Sequence, residues 1–478
     1  MEPVQPARLV SSRSHIHSGG FQVTELFFEV PKNYAHPRDG TIRLFARSIT
    51  RHEKTIPGLS KPAAAADEPR KPYMVYLEGG PGFGGPEPRG HPLSNRALDA
   101  GYNVLYVDYR GTGMSNPLHT DLILNQGDVH HQVEYLKLFR ADSIVRDLEA
   151  IRLCLTNSWE PAYQPWSLFG QSFGGFVCLT YLSKHPHSLR EVFMTGGLAP
   201  VKRHPIQVYS ALYHKVIDRN NAYYAKYPED EPSVLKIAHH LSQHPGSSGL
   251  PLPGGGTLTL TRFLALGIAF GSHGGLDAVH NLILKLVSDL DQFGYLTTPT
   301  LMAVEREVPL DSNPIYAILH ESIYCLSTGI VSNWAALRAA SKFDHQFPHL
   351  APPPDPARWT PPNHGKRLYF TGEMIFPQLF DTYPTLRPLK PAAEALATHA
   401  EWAEDLYDEE QLRRNQVPVY AVSYIDDMYV DIEAARETAA LVRGIKVHET
   451  NQLHHNALRA KGDEVLGMLF RLRDDTLD

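Results

Sequence analysis

Residues 166–182 read WSLFGQSFGGFVCLTYL, and no other stretch restricts the fold as much. An apolar, strand-like run (Trp166–Gly170) enters a glycine-rich turn around Ser172, and an apolar, helix-like run from about Gly174 to Ser183 leaves it. A strand that passes directly into a helix needs small residues where the two elements cross. Glycine stands on both sides of the serine, at Gly170 and Gly174. A strand apolar on both faces and followed at once by a helix belongs to a parallel sheet covered by helices.

The rest of the chain repeats this alternation. Strands are expected at Phe21–Val30 and Thr41–Ile49, joined by the turn NYAHPRDG, and then at Tyr73–Glu78, Tyr102–Tyr109 and Glu191–Gly197. Ile144, Leu148, Ile151 and Leu155 recur at helical spacing and predict a helix over Ala141–Leu155. Late strands follow at Val417–Ile425 and Ile445–Thr450, with a helix over IEAARETAALV between them and another running to the C-terminus. The Ala/Pro stretch Pro57–Pro69 reads as a surface loop.

Residues 201–400 differ in character. They are rich in His, Leu and helical patterns, and they hold a Gly254–Gly256 turn and the Pro-rich run HLAPPPDPARWTPPNHG. The expectation is an α/β core, residues 1–200 and 401–478, interrupted by a mostly helical cap, 201–400, over the C-terminal edge of the sheet. Ligands bind at that edge in open α/β folds. A chain of 478 residues is long enough for such an insertion.

Composition enters mainly through what it excludes. The formal net charge is -7, which argues against nucleic acid or an anionic membrane as partner. The three cysteines, Cys154, Cys178 and Cys325, have no CxxC spacing, so neither a disulfide framework nor a zinc site is expected. The 25 histidines include pairs but no HExxH motif, and no metal or organic cofactor is called for. The N-terminal residues lack a signal-like apolar run, and no apolar stretch is long enough to span a bilayer. The expectation is a soluble, cytoplasmic protein, and a homo-oligomer is compatible with the sequence.

Ser172 on such a turn is a candidate nucleophile. The pattern alone is weak, since chance supplies it in about one or two chains in ten of this length; the flanking strand and helix strengthen it. Glu78-Gly79-Gly80-Pro81-Gly82 follows an earlier strand. The Gly80 N–H, with that of Phe173 after the serine, is a candidate oxyanion hole. Asp108–Ser115, DYRGTGMS, follows the next strand and by itself suggests only a tight turn.

EGGPG, DYRGTGMS and GQSFGG, in this order and spacing, resemble the proline iminopeptidase (prolyl aminopeptidase) family of α/β-hydrolases. The similarity continues through DSIVRDLEAIR, TGGLAP, YIDDMYVD and HHNALR. It departs from the commoner family pattern at Glu78, where histidine usually opens the motif; the longer bacterial and fungal members carry glutamate. In this fold the acid of a catalytic triad follows a late strand and the histidine follows the last. Local sequence leaves Asp426 and Asp427 open, and likewise His454 and His455. The resemblance selects Asp427, directly before Met428, and His455.

It also implies that cap glutamates bind the free α-amino group of the substrate, here Glu321 and Glu373, with Glu78 a further candidate at the substrate site. On residue pattern alone each cap glutamate, set in an apolar run, could equally be half of an internal ion pair. Cys325 reads as a small buried side chain. The implied activity is a cofactor-free serine aminopeptidase that takes peptides with a free N-terminus, proline first. The alternatives are an esterase or amidase of the same fold without amine recognition, and a catalytically silent binding protein. Dehalogenase-like chemistry is disfavoured because its elbow carries aspartate.

Overall fold

The computed structural model describes residues 3–52, 70–244, 249–350 and 367–475. The expected loop Pro57–Pro69 lies outside the described residues, as does nearly all of the Pro-rich run.

The described residues form eleven strands: β1 (Arg8–His17), β2 (Phe21–Pro31), β3 (Thr41–Arg51), β4 (Tyr73–Leu77), β5 (Asn103–Val107), β6 (Trp166–Gln171), β7 (Leu189–Thr195), β8 (Leu250–Pro251), β9 (Thr257–Leu258), β10 (Val419–Tyr424) and β11 (Ile445–Thr450). Nine of them make one sheet in the order β1-β2-β3-β5-β4-β6-β7-β10-β11. The edge β1-β2-β3 is antiparallel and β3 meets β5 antiparallel, while β5 through β11 run parallel. The inner parallel strands β5, β4, β6, β7 and β10 are mainly apolar because both their faces are covered, whereas β11, IKVHET, lies at the edge and is partly exposed. One face packs the helices Ala141–Thr156 and Phe173–Lys184, and the other packs Pro92–Asp99 and Gly462–Asp474. β1 is exposed along almost its whole length, and its residues, RLVSSRSHIH, carry no alternation by which a strand could be expected.

Between β7 and β10 the chain is mostly helical, with long helices at Pro205–Lys226, Asp230–Ser242 and Gly275–Phe293. β8 and β9 form a small hairpin around the glycine turn. This region lies over the C-terminal ends of the parallel strands. Ile315 and Tyr316 press against Gly82 just after β4, and the His455 N–H donates to the Gly271 carbonyl at 3.2 Å. No helix among the described residues is long and apolar enough to cross a membrane.

Candidate active site

Ser172 sits between β6 and the helix Phe173–Lys184 with φ 54° and ψ -122°, a conformation strained for a residue with a side chain. The crossing is tight. A Cβ on Gly174 would stand 2.0 Å from the Leu77 carbonyl oxygen, and one on Gly170 would stand 2.5 Å from that of Gly174. Glycine is therefore required at both positions, and the turn lifts Ser172 above the end of the sheet.

Three side chains from separate strand ends meet there. His455 Nε2 lies 2.8 Å from Ser172 Oγ, and its Nδ1 lies 2.7 Å from Asp427 Oδ2. The other Asp427 oxygen accepts the N–H groups of Tyr429 (2.8 Å) and Val430 (3.2 Å), which fixes the carboxylate. A carboxylate at Nδ1 assigns the ring proton to that nitrogen and leaves Nε2 to accept from the serine hydroxyl. Burial lowers the basicity of His455, but the Asp427 carboxylate, by charge and hydrogen bond, and the Glu373 charge together leave it raised above the ordinary value. Asp426 points to solvent. The His454 ring packs 5.0 Å from that of His273, and its main-chain N–H donates to His273 Nε2. Of each adjacent pair, only Asp427 and His455 join the line to Ser172.

The Gly79-Gly80 segment lies against Ser172, for a Cβ on Gly79 would come within 3.1 Å of that of Ser172. Phe173 begins the helix, so its N–H is among those with no intrahelical acceptor. Glu78 anchors this loop from behind. It is 3% exposed, one oxygen accepts the Gly79 N–H (2.9 Å) and the other pairs with Arg459 Nη2 (2.9 Å). The expected role of Glu78 at the substrate does not fit this geometry, because its charge is already neutralised by Arg459.

DYRGTGMS proves to be a staple. Asp108 accepts the N–H groups of Gly85 (2.6 Å) and Met114 (2.7 Å). Arg110 makes a two-pronged pair with buried Asp147 at 2.7 and 2.6 Å. It thereby ties the motif to DSIVRDLEAIR.

The two cap glutamates part company. Glu321 is buried, and its two oxygens accept the N–H groups of Ala335 (3.0 Å) and Ala336 (2.9 Å). These are the first amides of the helix Ala335–Ala340. Its carboxylate thus closes a helix N-terminus, and direct contact with a substrate amine, as expected from the sequence, does not fit. Burial pushes its carboxyl up to about 7 against the pull of those N–H groups.

Glu373 is brought close enough to His455 for their charges to interact. Oε1 accepts from Tyr316 OH at 2.6 Å, while Oε2 lies 4.0 Å from His320 Nε2 and has no hydrogen-bond donor among the described residues. Its side chain is 15% exposed. Burial pushes its carboxyl up to about 7, opposed by the charge of His455 and by the Tyr316 hydrogen bond. Tyr316 and His320 are the residues that sequence reading missed. Their only signal is an i, i+4 spacing in the apolar run before Glu321. Among the described residues no group of three His, Cys, Asp or Glu side chains is placed to hold a metal ion.

Comparison with known proteins gives a consistent result. A family model described as the alpha/beta hydrolase fold matches residues 72–230. A proline iminopeptidase of Aspergillus aculeatus is 38% identical over 475 residues, which covers 99% of each chain. A proline iminopeptidase of Aeromonas sobria is 40% identical over 468 residues, covering 98% of this chain and 100% of its own. Among solved structures, the proline iminopeptidase of Mycobacterium smegmatis matches 97% of this chain and 98% of its own at 12% identity and a TM-score of 0.38, too loose a likeness to argue from.

Proposed function

The chain belongs to the proline iminopeptidase family of α/β-hydrolases, and on that premise we propose that it releases an N-terminal residue, proline first, from peptides with a free amino terminus. Ser172 Oγ attacks the carbonyl of the first residue while His455 Nε2 takes its proton, with Asp427 holding the imidazole in that tautomer. The oxyanion forms against the N–H groups of Phe173 and Gly80. His455 then gives its proton to the leaving amine of the shortened peptide. Water, deprotonated by the same nitrogen, hydrolyses the acyl-enzyme.

The observation that carries this reading is Glu373, a carboxylate beside the triad whose Oε2 meets no hydrogen-bond donor among the described residues. A general esterase has no use for a partly buried charge there, whereas a protonated N-terminus does. Glu321 and Glu78 act indirectly, the first by anchoring the helix Ala335–Ala340 and the second by holding the Gly79-Gly80 loop. Three free cysteines, two of them buried, support a reducing, cytoplasmic setting.

The test is twofold. A fluorophosphonate should label Ser172 alone, and Ser172→Ala should lose about 10⁴-fold or more in kcat on a prolyl amide while remaining folded. Among a panel of aminoacyl anilides the prolyl compound should be turned over fastest. Labelling elsewhere, or a panel with no preference, contradicts the reading.

A further inference from the structure

His320 is an imidazole with nothing to do in the triad. It is 1% exposed, and neither ring nitrogen has a close hydrogen-bond partner among the described residues, the Glu373 main chain being the one polar group that acts on the ring from nearby. Its ring packs on Tyr316, with centroids 4.9 Å apart, and Tyr316 is the residue that donates to Glu373 Oε1. Burial holds the imidazole neutral, lowering its pKa to about 4. A neutral imidazole has one N–H and one acceptor nitrogen, and leaving that acceptor buried without a donor is costly.

The second oxygen of Glu373 is in a similar position, 4.0 Å from His320 Nε2. Two acceptors that share one ammonium nitrogen, each at about 2.8 Å, stand about 4.6 Å apart at a tetrahedral angle and about 4.0 Å apart when that angle closes to about 90°. The two acceptors therefore stand at the close end of the spacing that one charged amine bridges.

We propose that His320 Nε2 is the second acceptor for the substrate's N-terminal amine, paired across it with Glu373 Oε2. The inference rests on the aminopeptidase reading above and deepens it. A protonated N-terminal proline has two N–H bonds, and each finds an acceptor: the carboxylate takes one and supplies the charge, while the imidazole takes the other and fixes the direction of the pyrrolidine ring. No proton is transferred at this pair. His320 is thus a specificity-determining residue that touches the substrate away from the reacting carbonyl.

The experiment crosses a substitution with a substrate change. Prolyl p-nitroanilide and its N-methylprolyl analogue, which keeps only one N–H when protonated, are compared in the wild type, His320→Phe and His320→Gln. In the wild type, N-methylation should lower kcat/KM about tenfold or more. In His320→Phe, turnover of the prolyl substrate should fall by a similar factor, and N-methylation should then cost less than about threefold, because the acceptor it would have disappointed is gone. His320→Gln, whose amide oxygen can accept, should recover part of the loss. A nitrogen-free ester, p-nitrophenyl cyclopentanecarboxylate, should be hydrolysed by all three within about threefold.

Equal losses on the ester and the anilide, or strictly additive effects of substitution and methylation, would reduce His320 to a packing residue and overturn the proposal. Should His320→Phe fail to fold, wild-type turnover that is indifferent to N-methylation overturns it without any variant. Glu373→Gln separates the two levels. If that change leaves prolyl turnover intact, the amine site itself fails. If it lowers prolyl turnover while His320→Phe does not, only the role of His320 fails.

Discussion

Replacing Glu373 by Gln tests the amine site most searchingly, because it removes a charge and keeps the shape. Glutamine can still accept from Tyr316 OH, so the hydrogen bond at 2.6 Å survives and the cap should keep its packing. What is lost is the attraction of a carboxylate for the ammonium of a bound peptide. Two unit charges about 3 Å apart at an effective dielectric near 20 attract by roughly 5–6 kcal/mol. Desolvating both takes back several kcal/mol, and hydrogen bonds to charged groups are worth about 1.5–3 kcal/mol net. A loss of about 2–3 kcal/mol in transition-state binding is expected, or about 30- to 150-fold in kcat/KM for prolyl p-nitroanilide.

The pH profile supplies an independent check. Glu373 must be ionised to bind the amine, and its carboxyl, pushed up to about 7, loses that form as the pH falls through neutrality. His455 must be neutral to act as a base, and it too is raised, in part by the charge of Glu373. The acid limb of the wild type therefore contains both groups. In Glu373→Gln one group is gone and the other is less basic, so the limb should move to lower pH, even with an ester that has no amine. Equal losses on amide and ester, or an acid limb that stays in place or moves up, would refute the argument.

Other substitutions separate the triad from its supports. Asp427→Asn and His455→Gln should each cost about 10⁴-fold in kcat, while Asp426→Asn and His454→Gln stay within a few-fold, as steady-state rates would show. Arg110→Met strands buried Asp147 without its cation and should destabilise the fold by about 3–5 kcal/mol in urea denaturation. Glu321→Gln, which weakens the anchor of the helix Ala335–Ala340, should lower stability by about 1–2 kcal/mol and reduce amide and ester turnover by similar factors. That parallel loss, set against the selective loss in Glu373→Gln, distinguishes a supporting carboxylate from one that meets the substrate.

What the sequence reveals of this molecule follows the range of the forces involved. Strands buried on both faces declare themselves as apolar runs, so Tyr73–Leu77, Asn103–Val107 and Val419–Tyr424 lie within the stretches expected of them, and Trp166–Gln171 runs one residue past its expected end at Gly170. β1 does not, because an exposed edge strand is held by backbone pairing to β2 and its side chains carry no pattern. At the site, the turn around Ser172 is legible because strand, glycines and helix are contiguous.

The roles of the carboxylates are not legible, because their partners are remote in the chain. Glu78 meets Arg459 from the far C-terminal end, Glu373 meets Tyr316 from another segment of the cap, and Glu321 meets amides 14 and 15 residues further on. A glutamate in an apolar run announces only that something must compensate its charge. Which partner does so is decided by the packing of the cap on the sheet. His320 shows the same limit, since a histidine beside a glutamate in sequence reads as one more buried imidazole until Glu373 is folded against it.

The central claim is that this serine hydrolase recognises a charged N-terminal amine, and one ratio tests it most directly: kcat/KM of the wild type for prolyl p-nitroanilide over that for N-acetylprolyl p-nitroanilide. Acetylation leaves the scissile bond unchanged but removes the cation, so Glu373 would face a neutral amide with its charge uncompensated. The account predicts a ratio of about 10³ or more near neutral pH, collapsing by about 30- to 150-fold in Glu373→Gln as the free-amine substrate loses its advantage. A wild-type ratio near one would mean that the enzyme does not sense the amine, and the assignment as an aminopeptidase would fall.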